Sequence, residues 1–124
     1  MAWGRNMAVR SEDFWDLVGT DLGDVTSVRD YLQLEFNPPP LLNAYTPVTV
    51  RSGGGVATPG EEAFANLLIT QINKVVREVR LRPQEILEIT FEDTSVILTS
   101  LHREHYVCAE AINLFRKDKE MIVI

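Results

Sequence analysis

EILEITFEDTSVILTSL, residues 85–101, is the stretch on which the fold turns. Leu87, Ile89 and Phe91 alternate with charged or polar neighbours, and Ile97, Thr99 and Leu101 do the same on the return. That period of two belongs to half-buried strands. With Glu92, Asp93 and Thr94 as a three-residue loop, Ile89 falls opposite Ile97 and the two apolar sets share one face. The spacing predicts an antiparallel hairpin.

Upstream, Val79 and Leu81 alternate with Glu78, Arg80 and Arg82, which predicts a strand from about Val76, ended by a turn at Pro83 and Gln84. Before it, Thr58, Pro59, Gly60 and Glu61 read as a helix start: a capping hydroxyl, proline at the first helical position and a glutamate able to reach back. Phe64, Leu67, Leu68, Ile72 and Val75 follow at three- and four-residue spacing, an apolar stripe for a long helix lying on a sheet. Gly53, Gly54 and Gly55 predict a mobile loop at 51–57, and Leu41–Val50 a third strand. Asp24–Phe36 reads as two strands turning at Arg29 and Asp30, closed by Pro38, Pro39 and Pro40. Nearer the start, Ser11, Glu12 and Asp13 open a short helix with Phe14, Leu17 and Val18 on one face and Gly19 as its stop. Downstream, 102–113 reads as irregular or briefly helical, Arg116–Glu120 as a charged turn and Met121–Ile124 as a final strand tucked into the sheet.

These elements add up to an α+β domain: a mainly antiparallel sheet of about five to seven strands packed on one long helix, with a short N-terminal helix. A chain of 124 residues, 45% apolar and 24% charged, suits a single domain, expected over 11–124 behind a flexible 1–10. Residues 1–10 hold no apolar run of secretory length, and no run approaches a membrane span. The single cysteine, Cys108, cannot form an internal disulfide and fits a reducing compartment, so a cytoplasmic location is expected.

The net charge of −6 is concentrated. Glu12, Asp13, Asp16, Asp21, Asp24, Asp30 and Glu35 stand against the single base Arg29, leaving the rest near balance. Such a field repels phosphate backbones and attracts basic proteins; its plainer meaning is a solvated edge.

Reactive side chains meet only in HREHYVCAE, where His102, His105, Cys108 and Glu110 fall within nine residues. On a helix Cys108 would lie about 120° around the axis from His102, and the spacing matches no zinc finger, so no metal or other cofactor is expected. A thiolate pair of Cys108 with either histidine would need a lowered thiol pKa and an orienting third group. The three glycines lack a following Gly-Lys-Ser/Thr, and Glu61 and Glu62 would repel phosphate there. Lys74, Arg77, Arg80 and Arg82 have no interleaved aromatics, so salt bridges to acids of the 85–93 hairpin are expected rather than nucleic-acid binding.

VRDYLQLEF, residues 28–36, and FEDTS with Leu101, Glu104, Tyr106, Glu110 and Ala111 resemble a group of small uncharacterised bacterial α+β proteins. Members of that group carry glycine where this chain has Thr94, and a Gly-Pro pair where it has Cys108 and Ala109. The resemblance implies no activity and no catalytic residue. The function expected is therefore a non-enzymatic acidic domain of the inhibitor or immunity type, binding a basic protein through Asp21, Asp24, Arg29, Asp30 and Tyr31. Neither nucleic acid nor membrane is expected as a partner, and self-association as a homodimer stays open. The alternative is a small-ligand or metal-dependent enzyme using the His102–Glu110 stretch.

Overall fold

The computed structural model describes residues 9–28, 31–116 and 121–124. In chain order the strands are β1 (Asp21–Val28), β2 (Tyr31–Asn37), β3 (Leu41–Ala44), β4 (Val48–Ser52), β5 (Gly55–Ala57), β6 (Val76–Arg82), β7 (Ile86–Phe91), β8 (Val96–Ser100), β9 (Ile112–Phe115) and β10 (Met121–Val123). They form two five-stranded antiparallel sheets, ordered β1-β2-β3-β9-β10 and β5-β4-β8-β7-β6. The β7-β8 hairpin forms with Ile89 opposite Ile97, as its alternation requires. Phe91 N–H donates to the Ser95 carbonyl at 2.8 Å, enclosing residues 92–94, and Thr94 takes the left-handed position at φ 75°.

The inward alternation of both sheets makes one core. Leu22, Leu34, Phe36, Leu42, Ile112 and Leu114 of the first sheet meet Val48, Val50, Val79, Leu87, Ile89, Phe91 and Ile97 of the second, all buried. The sheets are also joined along their backbones. Tyr45, Thr46 and Pro47 carry the chain from β3 to β4 and so from one sheet to the other. On the opposite flank residues 19–22 are stitched to 73–76 by four bonds of 2.7–3.0 Å, Gly19 N–H to Val76 carbonyl, Val76 N–H to Thr20, Leu22 N–H to Lys74 and Asn73 N–H to Leu22.

The expected long helix is absent, and the α+β reading with it. The one α-helix among the described residues, α1, spans only Phe64–Ile69. Thr58 and Glu61 do interact as the sequence suggests, the Thr58 N–H and hydroxyl both donating to Glu61 Oε1 at 2.6 and 2.9 Å. But Gly60 sits at φ 94°, which no right-handed helix contains, so the turn closes without propagating. At the other end Asn73 at φ 77° stops the chain, and Val75 and Val76 go to the stitched edge, where β-branched residues suit extended backbone. The apolar stripe still reaches the core: Leu68 is buried, and Phe64, Leu67 and Ile72 pack against the same cluster.

Other expectations also shift. The predicted strand 41–50 is two strands in two sheets. The glycine loop is the β4-β5 hairpin, where Gly53 and Gly54 at φ 57° and 84° supply the paired positive φ of a type I′ turn. The N-terminal helix is a 3-10 helix, Ser11–Leu17, with Phe14 and Leu17 buried but Val18 exposed. Its Ser11 hydroxyl accepts from Leu81 N–H at 2.9 Å, covering the β6 edge instead of capping the helix. β9 was not legible as a strand at all, whereas Met121–Val123 does extend the sheet as its edge. The turn expected at Arg29 and Asp30, and most of that at 116–120, lie outside the described residues.

Replacing Ile89, 1% exposed, by alanine is expected to cost about 2–5 kcal/mol in urea melts, because the cavity relaxes only in part. Thr94→Gly should hold or raise the midpoint, since glycine adopts φ 75° without the strain of a β-branched side chain. An unchanged Ile89→Ala midpoint would contradict the shared core.

Candidate protein-docking face

The outer face of the first sheet is built by strand register. Asp24 stands directly opposite Glu35, Glu35 opposite Leu41, Leu41 opposite Phe115 and Phe115 opposite Met121. One row thus runs across all five strands, acidic at the β1 end and apolar at the other. Phe115 and Met121 are 41% and 47% exposed. The next row is a line of amides, Gln33 opposite Asn43 opposite Asn113.

Of the residues singled out in sequence, Asp21, Asp24 and Tyr31 reach this face, while Arg29 and Asp30 lie outside the described residues. Asp21 pairs with Asn37 and Asp24 with Glu35, although a separation of three should put the two aspartates on opposite sides. A bulge at Gly23 corrects the parity. A Cβ on Gly23 would meet the Asn37 side-chain amide, which would have to swing aside. Leu41, Tyr45, Asn113, Phe115 and Met121 were missed as site residues, and Glu110 was singled out only as part of the reactive stretch. Leu41 and Tyr45 fall in the strand expected at 41–50, but Asn113, Phe115 and Met121 join the face only through β9 and β10 pairing.

Tyr31 and Tyr45 pack with ring centroids 4.9 Å apart at 43°. The Tyr45 hydroxyl donates to Asn113 Oδ1 at 2.8 Å, and Asn113 Nδ2 donates to Glu110 Oε1 at 3.1 Å. Burial, then the neighbouring Glu110 carboxylate, push the Tyr45 phenol up, so it remains a donor. Asn43 Oδ1 is buried without a partner in the middle of the amide row. The arrangement offers carboxylates, aromatic rings and apolar side chains, but no nucleophile paired with a base.

The reactive stretch divides. His102 and His105 pack edge to face, 5.6 Å between centroids, beside the second sheet. Cys108 is exposed, its Sγ 3.3 Å from the Glu110 carbonyl oxygen, on the side of Tyr45. No group of three or more His, Cys, Asp or Glu side chains suited to a metal forms among the described residues.

A second polar cluster has the composition of a serine–lysine catalytic centre. Ser52 and Ser95 hydroxyls lie 2.7 Å apart, and Lys74 Nζ is 3.1 Å from Ser95 and 3.4 Å from Ser52. Lys74 Nζ also meets Asp93 Oδ2 at 2.7 Å and Gln71 Oε1 at 3.0 Å. Its N–H groups are committed to acceptors, including a carboxylate, which is the geometry of a cationic tie between loops and not of a base. Of the ion pairs expected between the 74–82 bases and the 85–93 acids, Lys74–Asp93 is the one that forms among the described residues; Arg80 pairs instead with Glu78 at 3.3 Å.

No protein-family model, curated protein or solved structure matches the chain. The comparisons therefore add nothing to the resemblance at 28–36 and 91–111. No helix among the described residues is long and apolar enough to cross a membrane.

The Lys74 hydrogen bond, then the Ser95 N–H, hold the Asp93 carboxyl down to about 2 from 3.8. A depressed folded-state value means stability complete above about pH 4 and lost as the pH falls toward 2. Asp93 is half exposed, so screening keeps the effect near ~1 kcal/mol. Melting temperatures across that window should show a component missing from Asp93→Asn; identical profiles would mean the tie contributes nothing.

Proposed function

We propose that this chain is a non-enzymatic binding module of the inhibitor or immunity type that presents the outer face of its first sheet to a basic protein. The observation carrying this reading is the cross-strand pair Asp24 and Glu35. Like charges directly opposite one another destabilise a sheet, and no basic residue stands in their row. A partner's lysines or arginines would remove that repulsion. The row continues into Leu41, Phe115 and Met121, so charge at one end can steer encounter while aromatic and Met side chains supply the contact area that interfaces favour. The single exposed thiol of Cys108 suits a reducing compartment such as the cytoplasm.

Glu35→Lys separates function from folding. It turns the repulsive pair into an attractive one and should raise stability by about 0.2–1 kcal/mol in urea melts. The same change should slow association with a partner captured from the native host. The unaltered chain's on-rate should fall as salt rises, since the Debye length shrinks to about 8 Å at 0.15 M. Association indifferent to both salt and Glu35→Lys would overturn the reading.

A further inference from the structure

The outer face of the second sheet carries arginines and glutamates together. On the outer face of the second sheet Arg82 stands opposite Ile86 and Ile86 opposite Ser100. The next row brings Arg80 opposite Glu88, then Leu98 and Thr49. Beyond Ser100 the 3-10 helix Arg103–His105 folds over the end of this face. A cleft of about 360 Å³ results, lined by Thr49, Arg82, Glu85, Ser100, His102 and His105 among others.

The donors in this cleft are mostly unused. Arg82 makes no side-chain hydrogen bond or ion pair among the described residues, although Glu85 lines the same cleft. Neither ring nitrogen of His102 has a hydrogen-bond partner among them. Ser100 is the organising residue: its Oγ lies 2.6 Å from His105 Nδ1 and accepts from His102 N–H at 3.2 Å. When the Ser100 hydroxyl donates to Nδ1, His105 carries its own proton on Nε2 and becomes a donor. A guanidinium fork, two imidazoles and two hydroxyls therefore border one cavity in a chain of net charge −6.

We propose that this cleft binds a single phosphate-type oxyanion, the terminal phosphate monoester of a small ligand. Arg82 would grip two oxygens through its planar fork, as arginine does with phosphate, leaving the third oxygen for the two imidazoles, while the Ser100 hydroxyl donates its proton to His105 Nδ1 and so holds that ring as an Nε2 donor. A carboxylate held in the same fork has no third oxygen to offer the imidazoles. A running nucleic-acid backbone is disfavoured because Glu78, Glu85 and Glu88 stand on or beside the same face. The proposal is independent of the docking face, which lies on the other sheet.

Phenyl phosphate and inorganic phosphate are the probes, titrated while the histidine ring and arginine side-chain resonances are followed by NMR, with acetate and a single-stranded oligonucleotide as comparators. Saturable shifts at His102 and His105 are expected, with phosphate bound more tightly than either comparator. Arg82→Gln and His102→Gln should each weaken binding about tenfold while melting like the parent chain. Glu85→Gln should tighten it by removing a like charge, a gain that misfolding cannot imitate. No saturable shift, an unaltered response in Arg82→Gln, or tighter binding of acetate or oligonucleotide would each overturn the proposal. Glu35→Lys should leave the titration unchanged, so failure here and failure of the docking reading remain separate.

Discussion

Strand β3 pairs with β9, and β4 with β8, in one antiparallel ribbon that passes from the first sheet into the second. Leu41 faces Phe115 at one end and Arg51 faces Val96 at the other. At the corner the ladder is kept closed by Tyr45 N–H to the Ala111 carbonyl at 2.8 Å and Ser100 N–H to the Pro47 carbonyl at 3.1 Å. Pro47 has no N–H to contribute, so the corner falls where the ladder loses a donor. Thr46 adds its hydroxyl to the Ser100 carbonyl. Everything else is hung on this ribbon: β1 and β2 on one side of it, β6 and β7 on the other, with the core between. The stitched 19–22 and 73–76 segments then fix the second flank, so the two sheets are held by backbone at both sides.

The ribbon also explains which parts of the fold were legible. Residues 85–101 could be read because both strands and their loop are local, and Thr94 at φ 75° sits in the position glycine usually fills. The start of β6 was visible in the change of period at Val76. The bend at 45–47 was not, because alternation survives the corner and nothing local separates one long strand from two. Asn113 hid β9, since its amide sits in an apolar run and its reason for being there is Tyr45, 68 residues away. The helix failed differently. Its stripe was real and its capping pair formed, but Gly60 and Asn73 took left-handed conformations that end a helix, and the chain beyond it was claimed by an edge strand distant in sequence.

The candidate surface was half visible for the same reason. The excess of acids between Glu12 and Glu35 is plain in the sequence, yet whether Asp21 and Asp24 cooperate depends on a one-residue bulge. Without the extra residue at Gly23, the two carboxylates would point to opposite sides of the sheet. The apolar half of the row could not be found without β9 and β10. Among the described residues the outward ladder positions of the first sheet hold carboxylates without bases, whereas those of the second hold arginines and glutamates together.

The 101–111 excursion leaves the ribbon after Ser100 and returns at Ile112, buried Leu101 and Ala111 marking its two feet. Because the ladder closes beneath it, its length is decoupled from the register of both sheets. Each doubling of such a loop costs only about 0.6 kcal/mol in closure entropy, whereas one residue inserted in β8 or β9 would turn every side chain beyond it to the wrong face. Sequence change is thus cheap in the segment that carries both histidines and the cysteine, and costly a single residue to either side of it. The chain can vary the chemistry displayed over its corner while its spine stays fixed.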